Sequence, residues 1–129
     1  MNTYNFITIQ FFIELNHQQL MTENYLSKIL DLNEFVEYND GAVVSKTAIK
    51  KTAGTVTLFA FDKGQALSTH SAPFDALVQV LEGEVEIIIS GKKYELKGRQ
   101  SIIMPADEPH GLKAISKFKM MLIMIKSQD

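Results

Sequence analysis

The sequence predicts an all-β fold, a small barrel or sandwich of short strands. Three observations predict it. From Ala42 onward, short runs rich in Val, Ile, Thr, Phe and Tyr follow one another. Turn signals separate them, most of them glycines: Gly41, Gly54, Gly64, Gly83 and Gly91. Only residues 22–38 show apolar residues at helical spacing. Many short strands with reversals at this spacing bury their apolar faces by closing on one another.

In chain order, residues 1–21 form an extension whose segment 4–15 (YNFITIQFFIEL) is markedly apolar. It lacks a positively charged start, contains Glu14, is followed by no small-residue cleavage site, and is too short to span a bilayer as a helix. It therefore reads as neither a secretion signal nor a membrane anchor. Two readings stand: an extra strand pairing with the sheet or with a partner chain, or a stretch upstream of a natural start at Met21. Residues 22–40 form a lead-in. Leu26, Ile29 and Leu30 share one helical face, Thr22 is a candidate cap, and Asp31 to Glu34 offers a second. One or two short helical turns are expected, ending at the Asn39-Asp40-Gly41 turn.

Residues 41–129 carry the barrel. Expected strands are 43–51, 55–62, 77–81, 84–90, 93–96, 101–104, 110–114 and 118–125, with Gly91-Lys92 as a hairpin turn. In 84–89, Glu84 and Glu86 alternate with Val85 and Ile87, the pattern of a half-exposed strand. The last strand is apolar on both faces after Lys119, so its second half calls for cover, and a homodimer is expected. The lysines at 50–51, 92–93, 117 and 119 read as solvated edges.

Composition narrows the function. At 129 residues, 46% hydrophobic and 22% charged, this is one domain with one core. A net charge of −2 offers no basic surface, so no nucleic-acid partner is expected, nor a membrane. With no cysteine there is no disulfide, thiolate metal site or cysteine nucleophile, and a cytoplasmic location fits.

Two of the three histidines, His70 and His110, lie 40 residues apart within motifs. Gly64 is followed by five residues and His70; then come Ser71, Ala72, Pro73-Phe74-Asp75, Ala76, and six residues before Gly83. Further on stand Gly98, Arg99, Pro105, Asp107 and His110. This pattern, across residues 41–126, resembles the small single-domain cupins of bacteria, a jelly-roll β-barrel family. Its first motif is Gly-x5-His-x-His-x3–4-Glu-x6-Gly and its second Gly-x5-Pro-x-Gly-x2-His. Ala72 stands at the second histidine, Ala76 at the glutamate, Arg99 at the leading glycine of the second motif, and Asp107 at its inner glycine. The fold the resemblance implies is a cupin barrel, preceded by the short N-terminal helical segment.

In metal-binding cupins, three imidazoles and a carboxylate hold Fe, Mn, Ni, Cu or Zn. Here His70 and His110 remain, weak metal ligands as a pair, so a divalent transition metal is possible but not assigned as a cofactor. Gln79 has the wrong parity along the strand to replace the lost carboxylate. Asp75 has it too on a regular strand, but stays a candidate ligand if it lies in a bend after Pro73, where parity fails, and His17 is one only if the extension reaches the barrel mouth. The barrel interior is expected to be lined by His70, Ala72, Phe74, Ala76, His110, Phe59, Phe61 and Met120, with Met124 as an alternative to Met120. The first expectation is a barrel that binds a small, partly apolar organic molecule without a firmly held metal. The alternatives are a metal-dependent cupin enzyme of dioxygenase or isomerase type using His70 and His110, and a dimeric accessory protein whose barrel is filled.

Overall fold

In the computed structural model residues 24–127 are described. Nine strands follow in order: β1 (Val43–Lys51), β2 (Gly54–Phe61), β3 (Ala66–His70), β4 (Phe74–Glu82), β5 (Glu84–Ile89), β6 (Lys92–Lys97), β7 (Ser101–Met104), β8 (His110–Ala114) and β9 (Phe118–Lys126). They pair antiparallel into a five-stranded sheet, β1-β2-β9-β4-β7, and a four-stranded sheet, β3-β8-β5-β6. The chain crosses repeatedly between the sheets, which is the jelly-roll arrangement the motifs implied. No helix of the described residues is long and apolar enough to cross a membrane.

Side-chain alternation sorts each strand into an inner and an outer face. On β2, Phe59 and Phe61 enter the core between the sheets, while Leu58 and Ala60 join a second cluster outside. The inner core takes Val78 and Val80 from β4, Val85 and Ile87 from β5, and Phe118, Met120 and Leu122 from β9, all fully buried. Phe61 stacks on Phe118 with centroids 4.6 Å apart. β3 escaped the sequence reading because ALSTH is short and half polar, and β4 extends back to Phe74, next to Pro73.

The lead-in departs from expectation. Between Asn24 and Asp40 the described residues form turns and no helix; the start of the predicted segment, including Thr22, lies outside the described residues. Ser27 adopts a φ of 58°, which a right-handed helix does not allow, and Leu26 and Ile29 stand exposed. Val36, with Leu32, Phe35 and Tyr38, packs instead on Leu58, Ala60, Val44, Leu81 and Met121. Part of the cover that the last strand calls for thus comes from its own chain. Asp31 does act locally, accepting a hydrogen bond from the Asn33 amide at its side chain and from the Glu34 amide at its carbonyl.

Lys119 corrects another expectation. It is not a solvated edge residue: it is 7% exposed, donates to the Asn33 carbonyl, and lies 5.0 Å from the Tyr38 ring centre. Beside it, Glu82 accepts from the Tyr38 hydroxyl at 2.7 Å and from the Asn33 side-chain Nδ2 at 3.1 Å. The Tyr38 bond, foremost, holds the Glu82 carboxyl below its usual range; burial and then Glu82 push the Tyr38 hydroxyl up. This polar cluster fastens the lead-in to the sheet. Tyr38→Phe is expected to lower unfolding stability by ~1–2 kcal/mol, as removal of a hydrogen bond to a charged group does. A urea midpoint equal to the parent's would contradict this.

Candidate ligand site

β3 ends on His70 and β8 begins on His110, and the two are direct cross-strand partners. Between Leu67 and His70 the register shifts, because Leu67 pairs with Leu112 and His70 with His110. One extra residue on β3 therefore forms a bulge. The bulge resets side-chain parity, so that Leu67 and His70, three residues apart, meet partners on one face. Gly111 permits it: a Cβ there would meet the Thr69 hydroxyl at 3.0 Å and the Leu67 carbonyl at 3.1 Å. The two imidazoles stand edge to face with centroids 5.2 Å apart.

The loop before His110 is tied to the end of the first motif. The Asp107 amide donates to the Ala72 carbonyl at 2.8 Å, and the Ala106 amide to the Asp75 carboxylate at 2.9 Å. His110 Nδ1 lies 2.9 Å from the Glu108 carbonyl, a contact in which the nitrogen donates and which leaves Nε2 as the basic nitrogen. Burial lowers the His110 pKa. The His70 pKa is lowered to about 4, by burial first and then by the neighbouring His110, against a hydrogen bond to the Ser68 backbone. Both rings are therefore neutral at pH 7.

The sign of the pH effect follows. An unfolded histidine protonates near 6.5, whereas folded His70 resists until about 4. Its contribution is intact above pH 6.5 and is lost as pH falls from there toward 4. The melting temperature of the parent is expected to fall over this window more steeply than that of His70→Gln. Parallel pH profiles would contradict a neutral, half-buried His70.

All four glycine positions shared by the two motifs lie in the left-handed region: Gly64 at φ 83°, Gly83 at 81°, Arg99 at 79° and Asp107 at 67°. The motif's backbone is thus kept even where its glycine is not. Asp accepts this conformation better than most residues, and Arg does so at a cost. Arg99→Gly is expected to stabilise the fold by ~0.5–1 kcal/mol, read in a denaturant titration. A destabilised variant would mean that the Arg99 side chain contributes more than its backbone strain costs.

The family's metal is tested by the donors present. Ala72 and Ala76 supply none. Ala76 is 3% exposed, and its cross-strand partners are Met104 and Met124, both buried. Asp75 is exposed and engaged with Ala106, Gln79 reaches toward the Arg99 carbonyl, and His17 lies outside the described residues. Among the described residues no three His, Cys, Asp or Glu side chains converge on a metal position. The residues present do not fit the family's four-ligand metal site.

The remaining expected lining residues fall at two levels. Phe74 is half-buried against the core, and Ala72 is half-buried near His70. Phe59, Phe61 and Met120 are fully buried, several residues along their strands from the row that holds Ala76. Two residues escaped the sequence reading. Thr55 and Thr57 point inward from β2, their hydroxyls buried without a protein hydrogen-bond partner. Thr55 stands in one row with Met124, Ala76 and Met104. Their alternation with Phe59 and Phe61 in TVTLFAF was the available signal.

Comparison with known proteins agrees with this anatomy. The family model described as a cupin domain matches residues 57–126. No curated protein matches. Among solved structures, a conserved protein of unknown function from Streptococcus pyogenes is 37% identical, with a TM-score of 0.76, over 80% of this chain and 90% of that one. A cupin superfamily protein from Desulfitobacterium hafniense is 25% identical, with a TM-score of 0.74, over 78% of this chain and 92% of that one. A Cupin 2 conserved barrel domain protein from Leptotrichia buccalis is 41% identical, with a TM-score of 0.73, over 75% of this chain but 47% of the longer protein. With the barrel topology, the positive-φ positions of both motifs and the paired histidines, these matches show that the chain belongs to the cupin superfamily.

Proposed function

We propose that this cupin barrel binds a small, uncharged, partly apolar organic molecule at its histidine end, without a firmly held metal. The observation that carries the reading is the pair His70 and His110, neutral and in register, beside alanines at the two remaining ligand positions. Two basic imidazole nitrogens without a charge accept hydrogen bonds; they do not attract an anion. The inward hydroxyls of Thr55 and Thr57 can donate or accept, and Ala76, Met104 and Met124 supply apolar wall. Such a lining suits a phenol, an alcohol or a primary amide rather than a carboxylate or a phosphate. Phe59, Phe61, Phe118 and Met120 fill the other end, so the ligand enters beside half-buried His70.

The test is a panel of small phenols, alcohols, amides and carboxylic acids, followed through the imidazole NMR signals. Neutral donors are expected to shift both histidines, with binding weakened at least tenfold in His70→Phe and His110→Phe. Binding confined to carboxylic acids, or unchanged in both variants, would overturn the reading.

A further inference from the structure

Thr55 and Thr57 are the polar side chains on the inner face of β2, and the fold makes no use of their hydroxyls. Thr55 is 7% exposed and Thr57 0%, and neither hydroxyl has a hydrogen-bond partner among the described residues. Thr47, the cross-strand neighbour of Thr57, does not bond to it. Valine would supply the same β-branched shape to the strand, so what threonine adds at each position is the hydroxyl. A buried hydroxyl whose proton finds no acceptor costs stability, and a bound molecule that accepts from it removes that cost.

Both hydroxyls belong to the histidine end of the barrel. Thr55 shares its row with Met124, Ala76 and Met104, and Thr57 shares the next with Leu122, Val78 and Ile102. From His70 the chain passes through only 71–73 before β4 begins at Phe74, two positions short of Ala76. From Met104, the last residue of β7, it passes through 105–109 to His110. The Asp107 amide joins these two links at the Ala72 carbonyl. The histidine pair on one sheet and the threonine pair on the other therefore line the same end from opposite sides.

The two sides ask different things of a neutral molecule held between them. His110 presents Nε2 as a basic nitrogen and calls for a donor. The threonine hydroxyls, set among Met104, Met124 and Leu122, call for an acceptor. An ether has no donor, and an aromatic amine has donors to spare but a weak acceptor. A hydroxyl does both through one oxygen. Given a neutral ligand at this end, as proposed above, we infer that Thr55 and Thr57 determine its specificity by selecting a hydroxyl over an amine or an ether. The ligand hydroxyl donates to His110 Nε2 and accepts from a threonine.

Phenol, aniline and anisole are close in shape and differ at the group in question, so they serve as probes. Each is titrated against the full-length protein and followed through the histidine imidazole NMR signals. Phenol is expected to bind about tenfold tighter than either of the others, the difference one satisfied hydrogen bond makes. Thr55→Val/Thr57→Val keeps both side-chain shapes. It is expected to melt no lower than the parent and to erase the preference for phenol, whereas Thr55→Ser/Thr57→Ser retains it. Phenol binding no tighter than aniline in the parent, or a preference that survives in the valine variant, would overturn the inference. The histidine signals would still shift in either case, and the neutral-ligand reading would stand. A valine variant that melts well below the parent would show the hydroxyls serving the fold, and would overturn the inference as well. No histidine shift with any of the three probes would remove the neutral-ligand reading, and this inference with it.

Discussion

Ala76→Glu, which restores the family's carboxylate, is expected to destabilise the barrel by ~3–5 kcal/mol. Ala76 is buried in the inner core, with Met104 and Met124 as its neighbours across both strand pairs. Neither thioether compensates a carboxylate, so the new group either stays protonated or carries an unpaired charge, and its volume pushes on a packed wall. The combination Ala72→His/Ala76→Glu is expected to behave differently once metal is present. The spacing and backbone of the motif persist around His70 and His110, so three imidazoles and a carboxylate then converge. Excess Mn, Ni or Zn is expected to raise its melting temperature by several degrees, since ligand at a hundred times its dissociation constant adds ~2.7 kcal/mol. An Ala76→Glu variant as stable as the parent would show that the wall is not packed as described. A double variant that folds yet ignores metal would show that the strand has diverged in backbone as well as in side chains.

Gly83→Ala is expected to cost more than ~4 kcal/mol or to abolish folding, the sum of left-handed strain and a severe overlap. Gly83 has a φ of 81°, and an added Cβ would lie 2.0 Å from the Lys117 carbonyl oxygen and 2.7 Å from the Phe118 Cα. Both are backbone atoms, and Phe118 is held by its stack on Phe61, so neither yields cheaply. Gly91 separates the two contributions. Its φ is also 81°, but a Cβ there meets nothing within 4 Å, so Gly91→Ala is expected to cost only ~1–2 kcal/mol of backbone strain. Equal losses in the two variants, measured by urea unfolding, would contradict the contact argument.

Much of the barrel is legible in the sequence because its signals are local. Gly91 after EVEIIIS announces the β5–β6 hairpin, and TVTLFAF announces β2 by β-branched and aromatic residues alone. The lead-in misleads for a physical reason. Leu26, Ile29 and Leu30 have helical spacing, but Leu32, Phe35 and Val36 have it too, and the sheet's outer face decides which set packs. Propensity gives way to burial there. Lys119 is similar: nothing near it in the sequence reveals that Tyr38 and Glu82, 81 and 37 positions away, enclose its ammonium group. At the site, the spacing of His70 and His110 pointed to one end of the barrel. The bulge that turns His70 to face His110 depends on Gly111 in another strand, beyond the reach of a parity rule.

This chain keeps the cupin barrel, and the function proposed for its histidine end is the binding of a neutral ligand rather than of a resident metal. Metal content of protein purified without an affinity tag, measured by mass spectrometry of the elements, tests it most directly. Less than about a tenth of an equivalent of any transition metal per chain is expected, since two neutral ligands hold a divalent ion weakly. Close to one equivalent of a single metal, lost in both His70→Ala and His110→Ala, would contradict it.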